Sequence, residues 1–220
     1  YGVTPNQIAA GNALADGSNA GALYTAMGGM VASNRGAVPQ ALGQLAGDFH
    51  ASLRAAAMED SRAIRNILLD RMHQAGDGPV VWATGFGGFG GLRGGGNAES
   101  LRHDNAGFLA GVDSPVLPGL RLGFAAGYSS THARTTGRLS TAHGEQGHVG
   151  GYALLSLEDI RVTLGGDYGF GQAQMTRAIG GLGHVNTARL DQDTGQVFAD
   201  LGYRLALDGL VVQPHVTLAH

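Results

Sequence analysis

There is no cysteine in the chain, which removes disulfide frameworks and thiolate metal sites from consideration. Its absence fits a bacterial envelope protein. Charge is scarce too. Charged residues make up 14% of the 220, well under the quarter or so usual for soluble domains. The formal net charge is -3 and no basic run occurs, so nucleic acid is not an expected partner. No apolar run approaches the roughly eighteen residues of a membrane-spanning helix. No signal peptide is recognisable. The first residue is Tyr1 rather than methionine, and His220 falls inside an expected strand. Both lead us to expect a piece of a longer protein.

What the chain does have is glycine, 39 residues of it, and one long helical pattern. Between Pro39 and Pro79 there is no proline. Leu42, Leu45, Phe49, Leu53, Ala56, Ile64, Ile67 and Leu68 recur at spacings of three and four, as one helical face requires. Pro39 suits a first helical position. One unbroken helix is expected over 38–75, roughly 50 Å long at about 1.5 Å per residue. Arg54, Glu59, Asp60, Arg62, Arg65 and Asp70 make it too charged to face lipid. Its small residues, including Ala41, Gly43, Ala46, Gly47 and Ala55 to Ala57, make it slim. A thin, polar, membrane-length helix suits a water-lined tube. Ahead of it, residues 1–37 read as two short helices, the first capped by Thr4 with Pro5 at its start.

After Pro79 the period switches from about 3.6 to 2. Leu120, Leu122, Phe124, Ala126 and Tyr128 alternate with Arg121, Gly123, Ala125, Gly127 and Ser129. Ile160, Val162, Leu164, Tyr168 and Phe170 share one face of a second segment; Arg161, Thr163, Asp167 and Gly169 share the other. Val197, Ala199, Leu201, Tyr203, Leu205 and Leu207 oppose Gln196, Phe198, Asp200, Gly202, Arg204 and Ala206. Four more segments, 80–92, 105–114, 147–157 and 210–219, bring the candidate strands to seven. Connections alternate between short and long. The short ones are 114–119, Glu158-Asp159 and Asp208-Gly209, and the long, polar ones are 93–104, 130–146 and 172–193. Outer-membrane barrels show this alternation; a soluble sandwich has no reason to. The helix then belongs in the lumen.

The residues also resemble a known family. Thr4-Pro5-Asn6-Gln7, the run Gln44 to Ser52, Val81-Trp82-Ala83, Gly107 to Asp113, Leu122 to Ser129 and Val212-Gln213-Pro214 are similar, in order and spacing, to the translocator unit of an autotransporter (type V secretion). The family more often has Ser and Glu at the positions of Ala46 and Asp48. The resemblance implies a twelve-stranded outer-membrane barrel with a helix through its pore. It places residues 1–37 as a helical linker at the passenger end, 38–75 as the pore helix, and 79–220 as the first seven strands of an incomplete barrel. It implies a membrane anchor that delivers an N-terminal passenger to the surface of a Gram-negative cell. The partners it implies are outer-membrane lipid, the passenger itself and the barrel-assembly machinery. Two other functions compete: a plugged pore without a passenger, and the anchor of a surface hydrolase whose catalytic domain lies upstream. A soluble glycine-rich β-domain ranks last.

No catalytic, cofactor or metal site is expected. Gly85-Phe86-Gly87-Gly88-Phe89-Gly90 matches a dinucleotide fingerprint in form, but no helix opens after it. His103, His132, His143, His148 and His184 lie in or beside expected loops, without ligand spacing. Asp48, His50 and Ser52 do not share a helical face, and Asn66 lacks the paired asparagine of self-cleaving relatives. The charges are expected to be structural. Arg54, Glu59, Arg62 and Arg65 of the helix should meet Asp113, Arg121, Arg161, Asp167, Asp200 and Arg204 on the lumen wall. Phe108, Leu122, Phe124, Tyr128, Val162, Leu164, Tyr168, Leu201, Tyr203 and Leu205 should face lipid.

Overall fold

Thr4 opens the first helix through a reciprocal cap: its hydroxyl accepts from the Gln7 N–H at 3.3 Å, and Gln7 Oε1 accepts from the Thr4 N–H at 3.2 Å. That helix, α1, runs Pro5–Ala15, followed by α2 (Gly21–Ser33), a 3₁₀ turn (Arg35–Ala37) and α3 (Val38–Leu45). Met27, Met30, Val38, Ala41 and Leu42 form a small core among them. In this computed structural model the described residues are 2–16, 21–46, 48–74, 76–95, 100–135, 140–179, 184–207 and 210–220. Residues 48–52 are described by backbone only, so the Asp48, His50 and Ser52 side chains lie outside the description, as does the Asp208-Gly209 turn.

The helix expected as one rod is two. α3 ends where Ala46 turns extended, at φ -65° and ψ 145°, and α4 spans Asp48–His73. The Ala46 N–H still reaches the Leu42 and Gly43 carbonyls, so the first helix closes with a tightened last turn. Gly43 and Gly47 stand on either side of the break in sequence, and two glycines so close together leave little helix propensity to carry the rod across it. α4 alone, at 26 residues, is about 39 Å long.

Strands β1 (Val80–Leu92), β2 (Leu101–Leu117), β3 (Leu120–Thr135), β4 (Ser140–Leu157), β5 (Ile160–Ile179) and β6 (His184–Tyr203) follow. A small hairpin of β7 (Leu205–Leu207) and β8 (Leu210–Val212) precedes β9 (His215–Ala219). The main sheet has seven strands in the order β1-β2-β3-β4-β5-β6-β9, every neighbouring pair antiparallel. It curls into half a barrel with α4 against its inner face and β1 and β9 as edges. Among the described residues no helix is long and apolar enough to cross a membrane.

Three expectations need correction. Among the described residues the polar stretches 130–146 and 172–193 are mostly strand, and β2 takes in 101–104 of 93–104. β5 and β6 are 20 residues each, about twice what a bilayer crossing needs, and they pair in continuous register from Ile160↔Tyr203 to Ile179↔His184. Continuous pairing satisfies the backbone even outside the membrane, so polarity alone did not mark a loop. Second, 196–207 is not one strand: Arg204 interrupts it, and Leu205 belongs to the β7–β8 hairpin, not to the wall. Third, 210–219 is likewise split, into β8 and β9, by Gln213-Pro214.

The two-faced wall is clear. Phe108, Leu122, Phe124, Tyr128, Leu164, Tyr168, Leu201 and Tyr203 are exposed on the outside, and Val162 is half-buried among them. So large an apolar face needs a non-aqueous neighbour. Past Tyr128 the outer face of β3 turns polar, with Ser130, His132 and Arg134. Inside, small residues receive aromatic neighbours. Gly111 lies opposite Trp82, Gly107 opposite Phe86, Gly123 opposite Tyr152 and Gly165 opposite Phe198. In each pair the ring covers the space that a Cβ on the glycine would fill. Gly85–Gly90 is entirely strand, with Phe86 packed inside and Phe89 exposed outside.

Candidate functional site

The surface where α4 meets the wall gathers several buried polar groups, among them Asp60, Asp113, Gln196 and Asp200. Ala56, Asp60, Ile64, Leu68 and Met72 form its buried stripe, one residue every four. Ile64, Leu68, Leu69 and Met72 pack on Leu109, Ala125, Tyr152, Leu154 and Phe198; Ala56 packs on Leu101, Ala133, Ala142 and Met175. Burial of this face is what seats the helix, and polar contacts fix where along the wall it sits.

At the end carrying the short turns, Asp113 is the hub. Arg71 clasps it with two hydrogen bonds, Nε to Oδ2 at 2.7 Å and Nη2 to Oδ1 at 3.0 Å. Arg121, one strand over, bonds the same carboxylate and also donates to the carbonyls of Gly76 and Gly78. It therefore ties down the chain between α4 and β1. Tyr152 donates to Asp113 at 3.3 Å and accepts from the Trp82 indole at 2.8 Å. Two guanidinium groups compensate one buried carboxylate, the condition under which burying charge is tolerated.

Asp200 makes a second hub. His73, the last residue of α4, lies 3.3 Å from Oδ1; His215 and Thr217 of β9 lie 2.9 and 2.6 Å from Oδ2. Arg161 donates to the His73 carbonyl at 3.5 Å. Midway along the helix, Asp60 accepts from Asn105 at 2.6 Å and Thr131 at 2.7 Å, with His103 at 3.9 Å. Gln196 donates to the Ser61 carbonyl at 2.7 Å. At the far end Arg177 donates to the Gln44 carbonyl at 3.1 Å.

The charges meet, but not in the expected pairs. Arg62 bonds Glu59 on its own helix at 2.8 Å, both exposed. Arg54 is exposed and Arg65 half-buried. Asp113 and Asp200 take Arg71 and His73 in their place. Asp167 has His148 at 3.5 Å, and His148 also reaches Ser129 at 2.9 Å. Arg121 and Arg161 hold backbone carbonyls rather than helix acids. Arg204 is exposed outside the sheet. Helical phase explains the exchange: at about 100° per residue, Arg71 lies within about 20° of Ile64 around α4, whereas Arg62 points nearly the opposite way. The histidines also differ from solvated loop residues. His103 and His148 are buried strand residues on the inner face. His132 and His143 stack at 4.4 Å on the outer face. For His184 only the backbone is described, as the first residue of β6.

Ser129, His148 and Asp167 line up as hydroxyl, imidazole and carboxylate at 2.9 and 3.5 Å, all three buried in the wall; the other polar groups of this contact hold the helix. The chemistry of the contact is that of a seat for a helix. Comparison with known proteins agrees in fold. A family model described as an autotransporter β-domain matches residues 81–220. Two relatives, each an extracellular serine protease of Serratia marcescens, are 29% identical over an aligned length of 193, covering 82% of this chain and 18% of theirs. The chain thus spans under a fifth of the length of these relatives. Among solved structures, the translocator domain of autotransporter NalP from Neisseria meningitidis superposes with a TM-score of 0.65 at 14% identity, covering 76% of this chain and 58% of that one. The β-domain of the Bordetella autotransporter BrkA gives 0.53 at 22% identity, covering 65% and 57%.

Proposed function

The chain belongs to the autotransporter β-domain family, and on that premise we propose that it anchors its protein in the outer membrane and delivers an N-terminal passenger to the cell surface. A translocator β-domain is the non-catalytic part of such a protein, and it places the chain in a Gram-negative outer membrane. The single observation that carries the finer reading is the seat of α4: the Arg71–Asp113 clasp fixes its C-terminal end beside the short turns. The helix therefore runs through the lumen from the end of the long strand extensions to the end of the short turns. In barrels of this kind the short turns are periplasmic, so residues ahead of α4 emerge at the cell surface. A passenger joined there would be exported with its tail still threaded.

Lipid is then met by the outer Phe, Tyr, Leu and Val residues, and the lumen by the polar groups that hold the helix. Unpaired edges are not tolerated in hydrocarbon, so β1 and β9 must find partners in the spanning form. Assembly into the membrane would involve the cell's barrel-insertion machinery. The serine protease relatives favour a hydrolase as passenger, with this β-domain as its anchor. The test is an epitope placed ahead of Tyr1 in the complete protein. Antibody should reach it on intact cells whose outer membrane is sealed. A tag that stays hidden while the barrel is assembled would leave a plugged pore without export as the function.

A further inference from the structure

His73, Asp200 and His215 come from three elements: the end of α4, the inner face of β6 and the start of β9. We propose that they form a site for one divalent cation of the Zn(II) class, which clamps the C-terminal end of α4 to the wall.

The donor set and its placement carry this. Asp200 is buried, only 3% exposed, and its two oxygens diverge toward the two imidazoles: Oδ1 to His73 Nε2 at 3.3 Å, Oδ2 to His215 Nδ1 at 2.9 Å. One ligand atom from each residue falls within 4.8 Å of the others. Zn–N and Zn–O bonds are about 2.0–2.2 Å, so two ligands of one tetrahedral ion lie about 3.3–3.6 Å apart. Small rotations of the rings, which meet edge to face at 5.0 Å, close that gap. His215 has the freedom to rotate, its side chain being 47% exposed. Gly202 lies directly opposite it, with the Gln213 side chain in the space beside the glycine.

Two imidazoles and a carboxylate make an N,N,O set that suits Zn(II) with water in the fourth position. Thr217 donates to Asp200 Oδ2 at 2.6 Å and holds the carboxylate, as outer groups do around metal sites. The location also favours a cation. His73 ends α4, where the last carbonyls present the negative end of the helix dipole.

Such an ion binds only when α4 is seated, because one ligand belongs to the helix and two to the wall. By mass action, cation at about 100 times its dissociation constant raises the seated population about 100-fold relative to the unseated one. The site needs only α4 packed against β6 and β9, so it stands whether or not a passenger is exported.

The test uses the complete protein, assembled in detergent and stripped with a chelator. Titration with Co(II) should give visible d–d bands saturating near one equivalent and displaced by Zn(II). His73→Ala and His215→Ala should each weaken binding at least tenfold, and a His132→Ala/His143→Ala double variant on the outer face should leave it unchanged. Where an alanine variant fails to assemble, His73→Gln and His215→Gln serve, since glutamine keeps a hydrogen bond but is a poor ligand. Binding weaker than millimolar would overturn the proposal and leave a hydrogen-bonded cluster. So would binding that survives loss of both His73 and His215.

Discussion

Arg71 and Asp113 are separated by 42 residues of sequence and joined by a two-pronged ion pair, with the carboxylate fully buried. The pair links helix to wall at the point where the chain turns back to begin β1. Removing one partner leaves a buried charge with one fewer counter-ion, a loss of about 3 kcal/mol for pairs of this kind.

Arg71→Glu should therefore unseat the C-terminal end of α4. In planar bilayers the complete barrel carrying it should conduct more than the parent. Arg62→Glu, on the far side of the helix, should not change conductance. Equal conductance for Arg71→Glu and the parent would show that the clasp does not hold a plug.

Gly123 is expected to tolerate no branched side chain. A Cβ there would run into the Tyr152 ring, and Tyr152 links Trp82 to Asp113. Gly123→Val should cost about 1–3 kcal/mol by overpacking, read as loss of the compact, heat-modifiable form on unheated gels. Tyr152→Ala in the same chain should recover part of that loss by vacating the space. No recovery would mean that the glycine serves the backbone rather than the ring.

The alternation of Leu122, Phe124 and Leu164 against Gly123, Arg121 and Thr163 was legible because a strand's period of two assigns faces without knowledge of any partner. The cap at Thr4 was legible because it is local. The charge pairs were not, because they depend on helical phase against a curved wall. Yet one signal was present: Asp60 sits midway between Ala56 and Ile64 on the buried stripe, and Arg71 shares that side. Strand ends were misplaced because β5 and β6 go on pairing beyond their apolar stretch, through Gln172 to Arg177 and Asn186 to Asp191. The break at Ala46 was masked by an apolar spacing that continues across it.

Asp60 should behave as a positioning residue for the middle of α4. It accepts from Asn105 and Thr131, and its loss would leave both donors without that acceptor. Asp60→Ala should destabilise the seated helix by about 1–3 kcal/mol, seen as faster hydrogen exchange of amides around residues 57–64 than in the parent. Asp60→Leu combined with Asn105→Leu and Thr131→Val should restore protection, since apolar replacement of a whole buried polar group is often neutral. If Asp60→Ala exchanges no faster, the apolar stripe alone seats the helix.

Phe124 is 66% exposed on the outer face, and what surrounds it decides between lipid and water. An arginine near the bilayer midplane of a barrel costs about 2–4 kcal/mol, falling to about 0–1 near the interfaces. Phe124→Arg should accordingly lower stability in lipid vesicles by that larger amount. His132→Arg, eight residues on along the same face of β3 and among polar neighbours, should be nearly silent. In water both positions are exposed and both changes would be silent. Equal effects of the two variants, measured by denaturant unfolding in vesicles, would remove the membrane from the account of this wall, because only a hydrocarbon slab makes the penalty depend on height along a strand.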